Sequence, residues 1–121
     1  MSLLESGENY LETILVLSKN NNELHAIDIV NHLGYSKPSV SIMLKRLKEE
    51  NYITIDKNSH IFLTEKGYTI ANKIYERHEL LKTFLMNLGV SEQTAEDDAC
   101  KIEHDLSEET ISAIKKALNQ D

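Results

Sequence analysis

The chain has 121 residues, 40% of them apolar and 27% charged, with one proline and four glycines. That composition suits one modest, helix-rich globular core and excludes a disordered, fibrous or disulfide-stapled chain; no run approaches the roughly eighteen apolar residues that span a bilayer. The net charge of −7 speaks against a polyanionic partner, yet the excess is uneven: residues 1–66 carry seven basic and nine acidic side chains, residues 67–121 six and eleven, so bound cations can offset the second half.

Residues 4–18 space Leu4, Leu11, Ile14, Val16 and Leu17, with Tyr10, as a helix does. Lys19-Asn20-Asn21-Asn22 is a turn, and a short second helix is predicted from about Ala26 to Leu33, closed by Gly34 in a left-handed cap. Ser36 can cap a third helix whose first turn tolerates Pro38, and Val40, Met43, Leu44 and Leu47 carry it to about Glu50. The period then changes: Tyr52-Ile53-Thr54-Ile55 and Ile61-Phe62-Leu63 are β-prone and flank the polar loop Asp56 to His60, a short hairpin. Thr64 can cap a long fourth helix marked by Ile70, Ala71, Ile74, Leu81, Phe84, Leu85 and Leu88, and Gly89 stops it. Ser91-Glu92 opens a fifth helix with the stripe Ala95, Ala99, Ile102 and Leu106. Ser107-Glu108-Glu109 opens a last one carrying Ile111, Ile114 and Leu118.

Two helices joined by a tight glycine turn and followed by a hairpin predict a winged helix-turn-helix over residues 1–66, whose second helix enters a DNA major groove. Ser36, Lys37, Pro38, Ser39 and Ser41 crowd the start of that helix, and Lys45, Arg46 and Lys48 extend its positive charge. Hydroxyls and helix-terminal amides suit base edges and phosphates, and Lys57 at the hairpin tip suits a flanking phosphate. Lysines on an exposed face usually mean only solvation; here the order of helix, turn, helix and wing favours DNA. Glu49 and Glu50 should lie away from the duplex.

Residues 67–121 predict a helical, metal-sensing region, making the chain mainly α. Cys100, Glu103 and His104 stand at i, i+3 and i+4, leaving helix 5 on one side, a thiolate, a carboxylate and an imidazole suited to a first-row divalent metal. Further donors must come from elsewhere: His78 lies on the buried face of helix 4, and Asn9 and Glu12 lie one turn apart on helix 1. Singly, each has a plain reading, His78 as a hydrogen-bonded core residue and Cys100 as a small apolar filler. No Cys-x-x-Cys or His-Glu-x-x-His pattern points to structural zinc or a zinc hydrolase.

Five stretches resemble the diphtheria toxin repressor and manganese transport regulator family of metal-dependent repressors: Glu8 to Ile14, Ser36 to Ser41, Leu63 to Gly67, Arg77 to Leu81, and Asp98 to His104. The resemblance implies a homodimer built from residues 67–121, the helical dimerisation region, that presents two winged helices to a palindromic operator, with manganese or ferrous iron as cofactor and cobalt or zinc able to substitute in vitro. It implies Glu12, His78, Cys100, Glu103 and His104 as ligands, with Asn9 at a further ligand position. Asn9 stands where the manganese branch has Asp and the iron branch Met. Cys100 agrees with the iron branch, whereas Glu12 agrees with the manganese branch. At the positions of the iron branch's second site stand His78, Lys82 and Glu96; the ammonium opposes a cation there, and Glu96 remains as an additional donor. The chain ends at Asp121, so the iron branch's C-terminal SH3-like domain is expected to be absent.

An acidic N-terminus without an apolar run, and a single cysteine that cannot close an internal disulfide, lead to the expectation of a cytoplasmic protein. No organic substrate or membrane partner is expected. A winged-helix regulator sensing an organic ligand or a partner protein, with the His/Cys/Glu cluster structural, is the main rival. A metal-dependent hydrolase would need a nucleophile and an oxyanion-stabilising loop that the sequence does not offer, and a metal chaperone would leave the hairpin and Lys45-Arg46 unexplained.

Overall fold

The computed structural model describes residues 5–119. Among them, α1 (Glu5–Ser18), α2 (Ala26–Leu33), α3 (Lys37–Glu49), β1 (Ile53–Ile55), β2 (Ile61–Leu63), α4 (Glu65–Asn87), α5 (Glu92–Ile102) and α6 (Glu108–Leu118) follow in order. Two compact units, Met1–Asn72 and Lys73–Asp121, divide the chain within α4. Among the described residues no helix is long and apolar enough to cross a membrane.

In the first unit α1 buries Tyr10, Leu11, Ile14 and Leu15; Leu4, expected in the same helix, lies outside the described residues. Helix α1 packs on α2 and β2, α2 on α3, and α3 on β1. Gly34 ends α2 at φ 74° and ψ 17°, its amide donating to the Val30 carbonyl at 2.8 Å. Nothing crowds a Cβ there, so the positive φ alone calls for glycine. Two residues on, Ser36 Oγ accepts from the Ser39 amide at 3.2 Å, and Pro38 occupies the first turn, where no intrahelical donor is needed. Val40, Leu44 and Leu47 then turn one face of α3 into the core and leave the other to solvent.

The wing is antiparallel, with Ile53 opposite Leu63 and Ile55 opposite Ile61. Its loop is closed by Asp56, whose Oδ1 accepts from the amides of Asn58 at 2.8 Å and His60 at 2.9 Å. Ile61 donates to the Leu24 carbonyl at 2.8 Å, tying the hairpin to the segment before α2. At the junction with α4, Thr64 Oγ1 donates to the Asn51 carbonyl at 2.7 Å and accepts from the Gly67 amide at 3.0 Å. A Cβ at Gly67 would overlap the Tyr52 carbonyl oxygen, so this glycine is required by close approach.

The second unit contains the rest of α4, then α5 and α6. Gly89, at φ 102°, follows α4, and Ser91 and Ser107 cap the next two helices by accepting from Thr94 at 3.4 Å and Thr110 at 3.2 Å. Ile74, Leu81, Ala95 and Ala99 are its buried apolar residues among those described, and α6 buries none fully. Two expectations are corrected. Leu88 is no part of the helical stripe, because it lies past the end of α4 and is 67% exposed. Helix α5 does not run on to Leu106: it ends at Ile102, with Glu103 as its C-cap and His104 in the turn. The carbonyls of Glu103 and Leu106 are instead taken by Arg77 Nη1, each at 3.1 Å, which satisfies the turn without further helix.

Candidate metal centre

Within the second unit the chemistry gathers around His78. It follows Ile74 by four residues and precedes Leu81 by three, so α4 places all three on one buried face. Its Nδ1 lies 2.8 Å from Glu103 Oε2, and its Nε2 lies 2.9 Å from Glu96 Oε1. Glu103 is fully buried at the end of α5. Its Oε1 accepts no hydrogen bond; His104 Nε2 stands 3.3 Å away, close enough for charge attraction but not aligned to donate. On the other side of the ring, Glu96 Oε2 is 3.2 Å from Lys82 Nζ, and Glu92 Oε2 is 4.0 Å from the same ammonium.

These contacts set the charges. The hydrogen bond to Glu103 overcomes the opposing effect of burial and, with the Glu96 contact, raises the His78 pKa to about 9. Burial pushes the Glu96 carboxyl up, but His78 and Lys82 outweigh it and hold the group below its ordinary value; the same bond to Glu96 raises Lys82. Each ring nitrogen of His78 therefore faces one glutamate, Nδ1 towards Glu103 and Nε2 towards Glu96. A buried carboxylate with one oxygen unbonded, beside two imidazoles, is costly unless a cation completes it. Nδ1 of His78 and the carboxylate of Glu103 are donor types that manganese, iron, cobalt and zinc accept, so the residues fit a first-row divalent ion.

The structure brings His78, Glu103, His104 and Glu96 together and leaves Cys100 apart from their burial, since Cys100 is exposed on the last turn of α5. The three-residue spacing from Cys100 to Glu103 puts both on one side of an ideal helix, yet only Glu103 is enclosed. Asn9 and Glu12 are half-buried on α1, in the first unit. Arg77 was not singled out from the sequence, although its bonds to the carbonyls on either side of His104, and to Glu108 Oε1 at 2.7 Å, shape the turn. Its position beside His78 was the available signal, but the acceptors lie 26 to 31 residues away.

In the first unit, Ser36, Lys37, Pro38, Ser39, Ser41, Lys45 and Arg46 are all exposed at the start and along the outer face of α3, and Lys57 is exposed in the wing loop. Lys48 shares that exposure, whereas Glu50 is half-buried at the far end, its carbonyl accepting from Lys66 Nζ at 3.1 Å.

Comparison with known proteins gives matches over nearly all of the chain. Residues 2–61 match the N-terminal DNA-binding domain of the iron-dependent repressors, and residues 64–120 match their metal-binding and dimerisation domain. A helix-turn-helix transcriptional regulator of Methanocaldococcus jannaschii is 37% identical over 113 residues, covering 92% of this chain and 90% of that protein. The transcriptional regulator MntR of Escherichia coli O157:H7 is 38% identical over 108 residues, covering 89% and 70%. Among solved structures, the manganese regulator SloR superposes with a TM-score of 0.83 at 32% identity, covering 98% of this chain and 55% of its own.

Proposed function

The chain belongs to the diphtheria toxin repressor and manganese transport regulator family of metal-dependent transcriptional regulators, and from that membership we propose that it represses metal-homeostasis genes when loaded with manganese or ferrous iron. The observation that carries this reading is the buried Glu103 carboxylate, 2.8 Å from His78 through one oxygen and unbonded at the other.

The proposed ligands are His78, Glu103, His104 and Cys100 from the C-terminal region and Asn9 and Glu12 from α1. A divalent ion held by these residues would supply positive charge to balance the carboxylates and would favour one arrangement of the helices that carry them. Glu103 and His104 occupy a turn in which Arg77 bonds the Glu103 and Leu106 carbonyls. Glu12 and Asn9 sit one helical turn apart and restrict α1 when they share that shell. Lys37, Lys45, Arg46 and Lys57 neutralise operator phosphates, while Ser36, Ser39 and Ser41 lie where the N-terminal end of α3 meets base edges. Two copies, joined through residues 67–121, present two such helices to a palindromic site, with residues 1–66 as the DNA-reading arms, in the cytoplasm.

Linkage makes the control reciprocal. A coupling of about 1 to 3 kcal/mol changes operator affinity by roughly 5 to 150 fold, and operator binding tightens the ligand shell by the same factor. The test is titration of an operator-length duplex with the protein in chelator and in manganese, iron, cobalt or zinc. Equal affinity in chelator and in every metal would favour the rival in which an organic ligand or partner protein is sensed. A response to metal with manganese or iron strongest supports the proposal.

A further inference from the structure

Resting on the metal-sensing reading, we propose that Glu96 and Lys82 are a positioning pair that holds the Nε2–H of His78, so that Nδ1 is the atom offered to the metal. A neutral imidazole carries one N–H and one lone pair, so a ring that binds metal through one nitrogen donates from the other. His78 has a carboxylate at each nitrogen, 2.8 Å on the Glu103 side and 2.9 Å on the Glu96 side. Distance does not separate them; charge balance and burial do.

On the Nδ1 side, Glu103 is fully enclosed, and its second oxygen lacks a hydrogen bond. Its near neighbours are the imidazoles of His78 and His104, which are metal-donor types. The guanidinium of Arg77 bonds the backbone carbonyl of Glu103 rather than its carboxylate. On the Nε2 side, the second oxygen of Glu96 already faces the Lys82 ammonium at 3.2 Å, which also lies 4.0 Å from Glu92. An ion placed there would stand beside a fixed positive charge that two carboxylates already balance. Glu96 is 45% exposed, so it has no unmet need for a partner. Lys82 follows His78 by one turn of α4, and Glu96 comes from α5, so the pair fixes the ring plane from two helices. Glu96 is therefore assigned to orienting the ligand rather than to the additional-donor role its position suggests. Carboxylates behind metal-binding histidines commonly act this way, fixing both tautomer and ring orientation.

The test uses the full chain, Zn2+ as a diamagnetic probe, and the variants Glu96→Ala and Glu96→Gln. Nitrogen-15 NMR of histidine-labelled, zinc-loaded protein is expected to show His78 protonated at Nε2 and metal-bound at Nδ1. Competition titration is expected to show Glu96→Ala weakening zinc binding by about 10- to 100-fold, and Glu96→Gln recovering most of that loss, since the amide oxygen still accepts from Nε2–H. A metal-bound Nε2, equal losses in both variants as for a true carboxylate ligand, or no loss in Glu96→Ala would each overturn the assignment. Failure of the wild-type chain to bind zinc would instead overturn metal sensing itself.

Discussion

The two units hold themselves together in different ways. The first is organised by aliphatic side chains from every element: Leu11 and Ile14 of α1, Ile29 of α2, Leu47 of α3, and Ile53 and Ile61 of the wing, each 3% exposed or less. The second buries Ile74 and Leu81 with two alanines, and beside them it encloses a glutamate and a histidine. Its helices are joined by side-chain bonds: His78 to Glu103 and Glu96, Lys82 to Glu96, and Arg77 and Lys73 to Glu108. Apolar burial is indifferent to metal, whereas a cluster of titratable donors changes with whatever cation occupies it. On the proposed reading, the apolar order of the first unit should be indifferent to metal, and the donor cluster of the second should respond to it.

Leu47→Ala probes the first half of that contrast and carries the largest expected effect. Leu47 is fully buried, and its truncation should cost about 2 to 5 kcal/mol in urea unfolding, by the same amount in chelator and in excess manganese. A cost that depended on metal would erase the distinction between the units. Glu103→Gln probes the second half. It keeps the shape and removes the charge, so manganese affinity should fall by about 100-fold, equivalent to roughly 2.7 kcal/mol, with the helical circular dichroism unchanged. A loss of less than about threefold would show that the buried carboxylate is structural.

How much of this was legible before any coordinates tracks how local each determinant is. Gly34, Ser36, Ser91 and Ser107 announce helix ends because each acts on amides or carbonyls within four residues. His78 could be placed on the buried face from Ile74 and Leu81 alone. The different burial of Cys100 and Glu103 could not be foreseen, because Glu103 keeps helical φ and ψ, so their spacing holds and only the packing around them differs. The turn that follows Ile102 is bonded by a guanidinium 26 residues earlier, which no periodicity reveals. Gly67 is similar: its motif was visible, but its need for glycine comes from the Tyr52 carbonyl, which only the folded hairpin brings close.

Arg77→Met tests whether that turn is prepared in advance of loading. Methionine retains the apolar stem and removes the bonds to the carbonyls of Glu103 and Leu106 and to Glu108. Manganese affinity should drop by about 10-fold, as for loss of an outer partner. Arg77→Lys should restore little of it, because a single ammonium cannot span three acceptors as the planar fork does. Full recovery by lysine would reduce Arg77 to a point charge and move the ordering of the turn elsewhere.

The smallest expected effect lies at the wing. Lys57 is exposed in the loop that Asp56 closes, so replacing it disturbs neither the core nor the donor cluster. If its ammonium neutralises one phosphate, Lys57→Ala should flatten the slope of log affinity against log salt by about 0.9 for each Lys57–phosphate pair removed. The affinity ratio between operator and unrelated DNA should stay the same, since a phosphate carries no sequence information. Metal affinity measured without DNA should also stay the same, because Lys57 is exposed in the wing loop and is none of the proposed ligands. An unchanged salt slope would remove the wing from the interface and leave recognition to α3 alone; a changed metal affinity would show that the two units are less separable than their interiors suggest.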